Sequence, residues 1–248
     1  MTAAWTEPVR NWLNTGMGFF YPETCQICNQ GPATAKEGFV CADCRREVRY
    51  IGEPFCRRCG LPYEGDLSTP FDCSNCGDME LHFRSARAAV VFSGVMRETI
   101  LRYKYQQALW FEPFLAQLLL RAAVPVLAAY KPALVVPVPL HPVKEREREF
   151  NQAARLAAHL AAALEVPLNT KLLRRVSFTI TQTKLTRQDR AANMRGVFAV
   201  PKGVRLDAVR VVLVDDVLTT GATTSACAKA LRAAGAAEVC VWTVARGI

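Results

Sequence analysis

The chain has 248 residues, is 51% hydrophobic and carries a formal charge of +9, enough apolar mass to bury one medium core plus a small module. That composition excludes a disordered tail or a repeat array, and the basic excess points to anionic ligands. Eight of the ten cysteines precede residue 80, so cysteine usage alone divides the chain.

Residues 1–24 contain Trp5–Asn14, patterned as a short amphipathic helix, and the apolar anchor FFYP at 19–22. Neither carries chemistry. A basic start leading into a long apolar run is missing, so a cytoplasmic address is expected, not a secretory one.

Residues 25–80 hold four Cys-x-x-Cys pairs: Cys25 and Cys28, Cys41 and Cys44, Cys56 and Cys59, Cys73 and Cys76. Twelve residues separate the first two pairs and thirteen the last two, each interval suiting one hairpin. A Cys-x-x-Cys turn offers two sulfurs to one ion, and Zn²⁺ takes four soft ligands in a tetrahedron. Two structural Cys₄ zinc ribbons are therefore expected, grouped in sequence, with a cross-braced pairing or redox thiols as alternatives. Counting each four-thiolate zinc site as about −2 lowers the charge to about +5. So small a segment depends on its metal, and replacing Cys25 or Cys59 is expected to unfold this module while leaving much of the α/β domain intact.

Residues 85–248 alternate short β-branched runs with longer alanine- or leucine-rich ones. AAVVF (88–92), ALVVPVP (133–139), VRVVLVD (209–215) and EVCVWTVA (238–245) read as strands, and 97–104, 112–130, 151–164 and 224–234 as helices. The expected class is α/β, a mostly parallel sheet covered on both faces, with ligands beyond the carboxyl ends of the strands. The most apolar stretch, 108–130, includes Glu112, Arg121, Pro113 and Pro125, so no membrane span is expected. Basic residues concentrate at 144–148 and 171–195. Lys144 and Arg146 read as solvated, His82 and His159 as linker and helix-surface residues, and His141 as either a diphosphate contact or a surface imidazole.

The segment VRVVLVDDVLTTGATT (209–224) carries the strongest signal. Gly221 allows a tight turn, Thr219, Thr220 and Thr223 supply hydroxyls, and the next helix points its first N–H groups at the loop, which makes a phosphate cradle. Asp215 and Asp216 would repel a phosphate, so they suit sugar hydroxyls or Mg²⁺. A phosphorylated sugar satisfies both halves; helix capping is the plain structural alternative.

VVLVDDVLTTGAT (211–223) resembles the phosphoribosyl pyrophosphate (PRPP) motif of type I phosphoribosyltransferases. With VVPVPLHPVKEREREFNQA (135–153), RVSFTITQTKLTRQDRAANMRGVF (175–198) and LRYKYQ (101–106), the chain from about residue 19 onward resembles the ComF family of competence and DNA-utilisation proteins, which join a double zinc ribbon to that fold. The resemblance implies a type I phosphoribosyltransferase fold behind the ribbon module. It places Asp215 and Asp216 on the ribose hydroxyls, and Thr219, Thr220, Gly221, Ala222 and Thr223 on the 5′-phosphate. A diphosphate loop at 136–141 includes Val138 and Pro139, followed by Arg148, Asn151 and Gln152. Arg175, Thr179, Gln182, Leu185, Arg190 and Asn193 match a further family pattern. The implied catalytic set is Asp215, Asp216, Arg148, Arg175 and Arg190, with Mg²⁺ accompanying PRPP and an unknown nitrogenous acceptor. The family also implies single-stranded DNA or a DNA-uptake helicase as partner. A non-catalytic adaptor with PRPP as effector, or a zinc-ribbon regulator, is the alternative to an enzyme. Glu149 departs from the family, where most relatives carry glycine; two explanations are a helix start, for which Glu149 is benign, and a backbone approach to diphosphate, for which it is repulsive.

Overall fold

Six strands are present in a computed structural model that describes residues 23–63, 65, 73–77, 80–176 and 196–248: β1 (Ser85–Val91), β2 (Leu134–Pro137), β3 (Arg174–Arg175), β4 (Phe198–Ala199), β5 (Arg210–Leu218) and β6 (Glu238–Arg246). β1, β6, β5 and β2 lie side by side in that order, every pairing parallel. β3 and β4 form a separate two-residue antiparallel ladder. Trp5–Asn14 and the FFYP anchor fall outside the described residues.

The longer helices are α1 (Gly94–Tyr105), α2 (Glu112–Tyr130), α3 (Pro142–Arg148), α4 (Gln152–Leu164) and α5 (Ala222–Ala233). Local chemistry sets their ends. Pro113 sits in the first turn of α2, where its missing N–H is not needed. The Asn151 side chain accepts from Ala154 N–H at 3.1 Å and starts α4. Gly221, at φ +88°, starts α5 from a left-handed turn that a side chain would strain.

Strand alternation splits the interior in two. Val212, Val214 and Trp242 join one apolar cluster with Phe114, Leu115 and Leu119 of α2 and Leu156 and Leu160 of α4. Val211, Leu213 and Val241 join the other, with Cys227, Ala228 and Leu231 of α5. Each cluster takes in one ribbon: Cys25, Cys41 and Cys44 sit in the first, and Cys56, Cys59 and Cys73 in the second. Both sheet faces are thus covered, as the continuous apolar strands require. The stretch Leu109–Tyr130 is long and apolar enough to cross a membrane by length and composition alone. Here Phe114, Leu115, Leu119 and Leu127 are buried against the sheet, and core helices pass the same test.

The strand with the acidic pair is longer than the sequence suggests. Val217 and Leu218 continue the ladder opposite Ala245 and Arg246, because apolar residues after the aspartates still have β6 to pair with. Asp215 and Asp216 therefore lie within β5, not at its end.

Candidate functional site

The thiols gather as Cys25, Cys28, Cys41, Cys44 and as Cys56, Cys59, Cys73, Cys76, the ligand atoms of each group within 4.8 Å of one another. Grouping is sequential. Sulfurs stand 3.7 Å apart in Cys25–Cys44, Cys28–Cys41 and Cys56–Cys76, and 3.6 Å in Cys59–Cys73. A zinc tetrahedron with Zn–S of about 2.3 Å has an edge of about 3.8 Å, so both groups fit the metal. Ile27 and Cys41 donate their N–H groups to Cys25 Sγ at 3.4 and 3.3 Å, which holds that sulfur in place within the group. Four sulfurs leave no position for water, so the zinc sites are structural.

The second site arises where β2 leaves the sheet. Pro137 pairs with Val214, and Val138 N–H still donates to Val214 O at 2.8 Å. From Asp215 onward, among the described residues, β5 keeps β6 alone as a neighbour. A cavity of about 300 Å³ opens there, lined by Lys104, Val138, Leu140, Arg148, Asn151, Gln152, Arg175, Asp215, Asp216, Thr219 and Thr223 among others.

Period-2 geometry turns the adjacent acids to opposite faces of β5. Asp216 faces α1, where Lys104 Nζ lies 2.8 Å from its Oδ1. Burial alone would lower the Lys104 pKa, but the charge and hydrogen bond of Asp216, with Asp215 nearby, hold it above the usual value. Asp215 accepts from Asp216 N–H at 2.9 Å; burial, then repulsion from Asp216, pushes it up to about 8. Asp215 therefore ionises only against its burial and the charge of its neighbour.

Two arginines line the same cavity. Arg148 lies over the Tyr105 ring at 4.8 Å and donates to Gln152 Oε1 at 3.2 Å. Arg175 lies over Phe198 at 5.6 Å, and burial holds its pKa below the usual range. Lys144, assigned to solvent from sequence, is half-buried and lines an adjoining cavity with Lys104, Tyr105 and Arg148; burial, then Arg175 and Arg148, lower its pKa. Gln152 is 2% exposed, and its Nε2 has no partner among the described residues, an open donor in the cavity wall. Asn151 caps α4 and also donates to Val138 O at 3.2 Å, fixing the loop after β2.

Most of the candidates meet in this cavity. Thr219 and Thr223 line it; Thr220, Gly221 and Ala222 shape the loop behind them, with Thr220 Oγ1 accepting from Ala222 N–H at 3.4 Å. Pro139 follows Val138 without lining it. His141 caps α3, its Nδ1 accepting from Val143 N–H at 3.2 Å. Thr179, Gln182, Leu185, Arg190 and Asn193 lie outside the described residues. Lys104 was not singled out, because one lysine after an apolar helix has no periodic signature; its place in LRYKYQ was the only pointer. Glu149 is exposed and holds the left-handed position that ends α3, at φ +64°. The helix-start explanation does not apply, because Glu149 ends one helix and is not in the first turn of the next; a glycine would be favoured there for backbone conformation.

Residues 17–80 match the family model described as a double zinc ribbon domain. Competence protein F of Haemophilus influenzae is 32% identical over 92% of this chain and 98% of its own length. DNA utilization protein YhgH of Escherichia coli K12 is 28% identical over 91% and 97%, and competence protein ComFC of Streptococcus pneumoniae 28% over 90% and 99%. Among solved structures, a purine phosphoribosyltransferase from Pyrococcus horikoshii is 21% identical over 54% of this chain and 83% of its own, with a TM-score of 0.36. An orotate phosphoribosyltransferase from Aeropyrum pernix is 23% identical over 63% and 67%, with a TM-score of 0.32. Superpositions of that extent say nothing about activity. Relatives of this identity, matched from end to end, establish the family: the chain belongs to the ComF competence and DNA-utilisation proteins, with a double zinc ribbon ahead of a parallel sheet.

Proposed function

We propose that the cavity beside β5 binds PRPP with Mg²⁺ and that the protein is a phosphoribosyltransferase serving the uptake and use of DNA. One observation carries this reading: an acidic pair, threonines of the loop after it and two arginines line a single cavity. PRPP matches that set, with neutral hydroxyls between a 5′-phosphate and a diphosphate.

Asp215 and Asp216 accept from the ribose hydroxyls, which are donors and bring no negative charge to the pair. Thr219, Thr223 and the loop amides hold the 5′-phosphate. Arg148 and Arg175 stabilise the diphosphate as its bond to C1 breaks and positive charge grows on the ribose ring. Lys144 and Gln152 extend that group, and Arg190 belongs to it by family pattern. Bound Mg²⁺ supplies neutralisation of the diphosphate oxygens. A nitrogen of the acceptor attacks C1, and no covalent protein intermediate is required. Paired thiols kept reduced for zinc suit the cytoplasm. The ribbon module at 25–80 and the catalytic unit at 85–248 remain the working division.

Calorimetric titration with PRPP, with and without Mg²⁺, tests the reading, together with diphosphate release in the presence of free bases or single-stranded DNA. Mg²⁺-dependent binding lost in Asp215→Asn is expected. Binding without diphosphate release from any acceptor would make PRPP an effector of an adaptor; no binding at all would overturn the assignment.

A further inference from the structure

The second ribbon reaches the threonine loop by three separate routes. Asn75, between Cys73 and Cys76 and 3% exposed, donates from Nδ2 to Thr220 O at 3.3 Å. Arg246 of β6, 2% exposed, spans the gap: Nε donates to Cys59 O at 3.3 Å, Nη2 lies 4.0 Å from Cys59 Sγ, and Nη1 donates to Leu218 O at 3.2 Å and Thr219 O at 2.5 Å. The segment following Cys76 adds the third. Ser225 Oγ accepts from His82 N–H and donates to Glu80 O, both at 3.0 Å, and Phe83 and Leu81 lie where a side chain at Gly221 would contact them, at 3.6 and 3.7 Å.

The first ribbon makes its contacts elsewhere. Arg45 donates to Gln117 Oε1 of α2 at 2.9 Å and lies over Phe114 at 4.7 Å, and Arg102 of α1 donates to Gln26 O. Two ribbons of matching ligand chemistry therefore have different duties.

We propose that the second ribbon alone is the clamp of the threonine loop, with Asn75 and Arg246 as positioning residues that hold its carbonyls inward so that its amides and hydroxyls face a phosphate. The physical basis is hydrogen-bond demand. A buried guanidinium and a buried amide each need acceptors, and here the acceptors are loop carbonyls. A zinc tetrathiolate of about −2 charge beside Arg246 offsets the buried cation, so the metal fixes the near end of the tether. The loop's role in phosphate binding rests on the function proposed above; its clamping does not.

Hydrogen exchange of the 218–225 segment, read beside zinc stoichiometry by native mass spectrometry, decides the matter. Cys73→Ser should raise exchange of that segment at least tenfold, while Cys28→Ser, which breaks the first site, leaves it unchanged. Asn75→Ala and Arg246→Lys should also raise it with two zinc ions still bound, which keeps the test sound if Cys73→Ser does not fold. Ribose 5-phosphate binding should weaken about tenfold in Asn75→Ala. Unchanged loop exchange in Asn75→Ala and Arg246→Lys, or an equal rise in Cys28→Ser, overturns the clamp. A wild-type protein that ignores ribose 5-phosphate overturns the proposed function instead, and the exchange results still judge the clamp.

Discussion

Lys104 of α1 and Asp216 of β5 form an ion pair of 2.8 Å with both side chains mostly buried, so among the described residues Asp216 has a direct ion-pair partner that Asp215 does not share. The two neighbours are not equivalent, although the sequence presents them as a matched doublet.

Opposite stability effects are expected for the two acids. Asp215 has its folded pKa raised to about 8; its contribution is most favourable below about pH 4 and is lost as pH rises through 8. Asp215→Asn should raise thermal stability at pH 8 by roughly 1–2 kcal/mol, about 2–8 °C, and flatten the stability profile between those limits. Asp216→Asn strands the Lys104 charge and should cost up to about 3 kcal/mol. Melting curves of both variants from pH 4 to 9 check this, and a fall for Asp215→Asn sinks it.

Elemental analysis should return two zinc ions per chain. Because Cys25, Cys41 and Cys44 share a buried cluster with Phe114 and Val212, loss of the first zinc should weaken the sheet core too. Cys25→Ser is therefore expected to lower the main melting transition, in place of the isolated module unfolding that sequence suggests. A main transition at the wild-type temperature would restore module independence.

Glu149→Gly should stabilise the chain by about 1 kcal/mol, since glycine occupies φ +64° without penalty. PRPP affinity should not change across a magnesium titration, because Glu149 does not line the cavity. Tighter binding at low Mg²⁺ would show that the carboxylate does reach the ligand.

Glu112, at the start of α2, accepts from His159 Nε2 at 2.8 Å, from Tyr103 Oη at 3.1 Å and from Arg155 Nε. Burial opposes its ionisation, but these donors and the Arg155 charge win and hold its pKa below the usual carboxylate range. The stability it contributes is present above about pH 4.5 and is lost as pH falls through the depressed value. Glu112→Gln should cost about 1–3 kcal/mol at pH 7 and make the variant less sensitive to acid. Equal losses at pH 7 and pH 3 would count against this network.

Much of this was legible because it rests on short-range rules. Cysteine spacing gave the ribbons, and alternating β-branched and alanine-rich runs gave the parallel sheet. The acidic doublet ahead of LTTGAT marked the cavity wall. What stayed hidden depends on tertiary partners. The extension of β5 to Leu218 needs β6 beside it, Lys104 becomes informative only once α1 packs over Asp216, and Lys144 looks solvated until Arg175 arrives from β3. Nothing local to Asn75 shows that a loop 145 residues later accepts its amide proton.

The strand order also constrains how the molecule is made. β6 lies between β1 and β5, so β1 lacks its parallel neighbour, and has only the short bridge from residues 49–51, while the chain up to residue 237 leaves the ribosome. The ribbons, whose contacts with metal are local, are able to close during that interval; the sheet waits for its final strand. Arg246 arrives with that strand, joining Cys59 to the threonine loop in the same step that completes the sheet. A nascent chain is thus kept from forming its ligand site early, and a ribosome-stalled product ending before residue 238 should hold zinc while failing to retain PRPP.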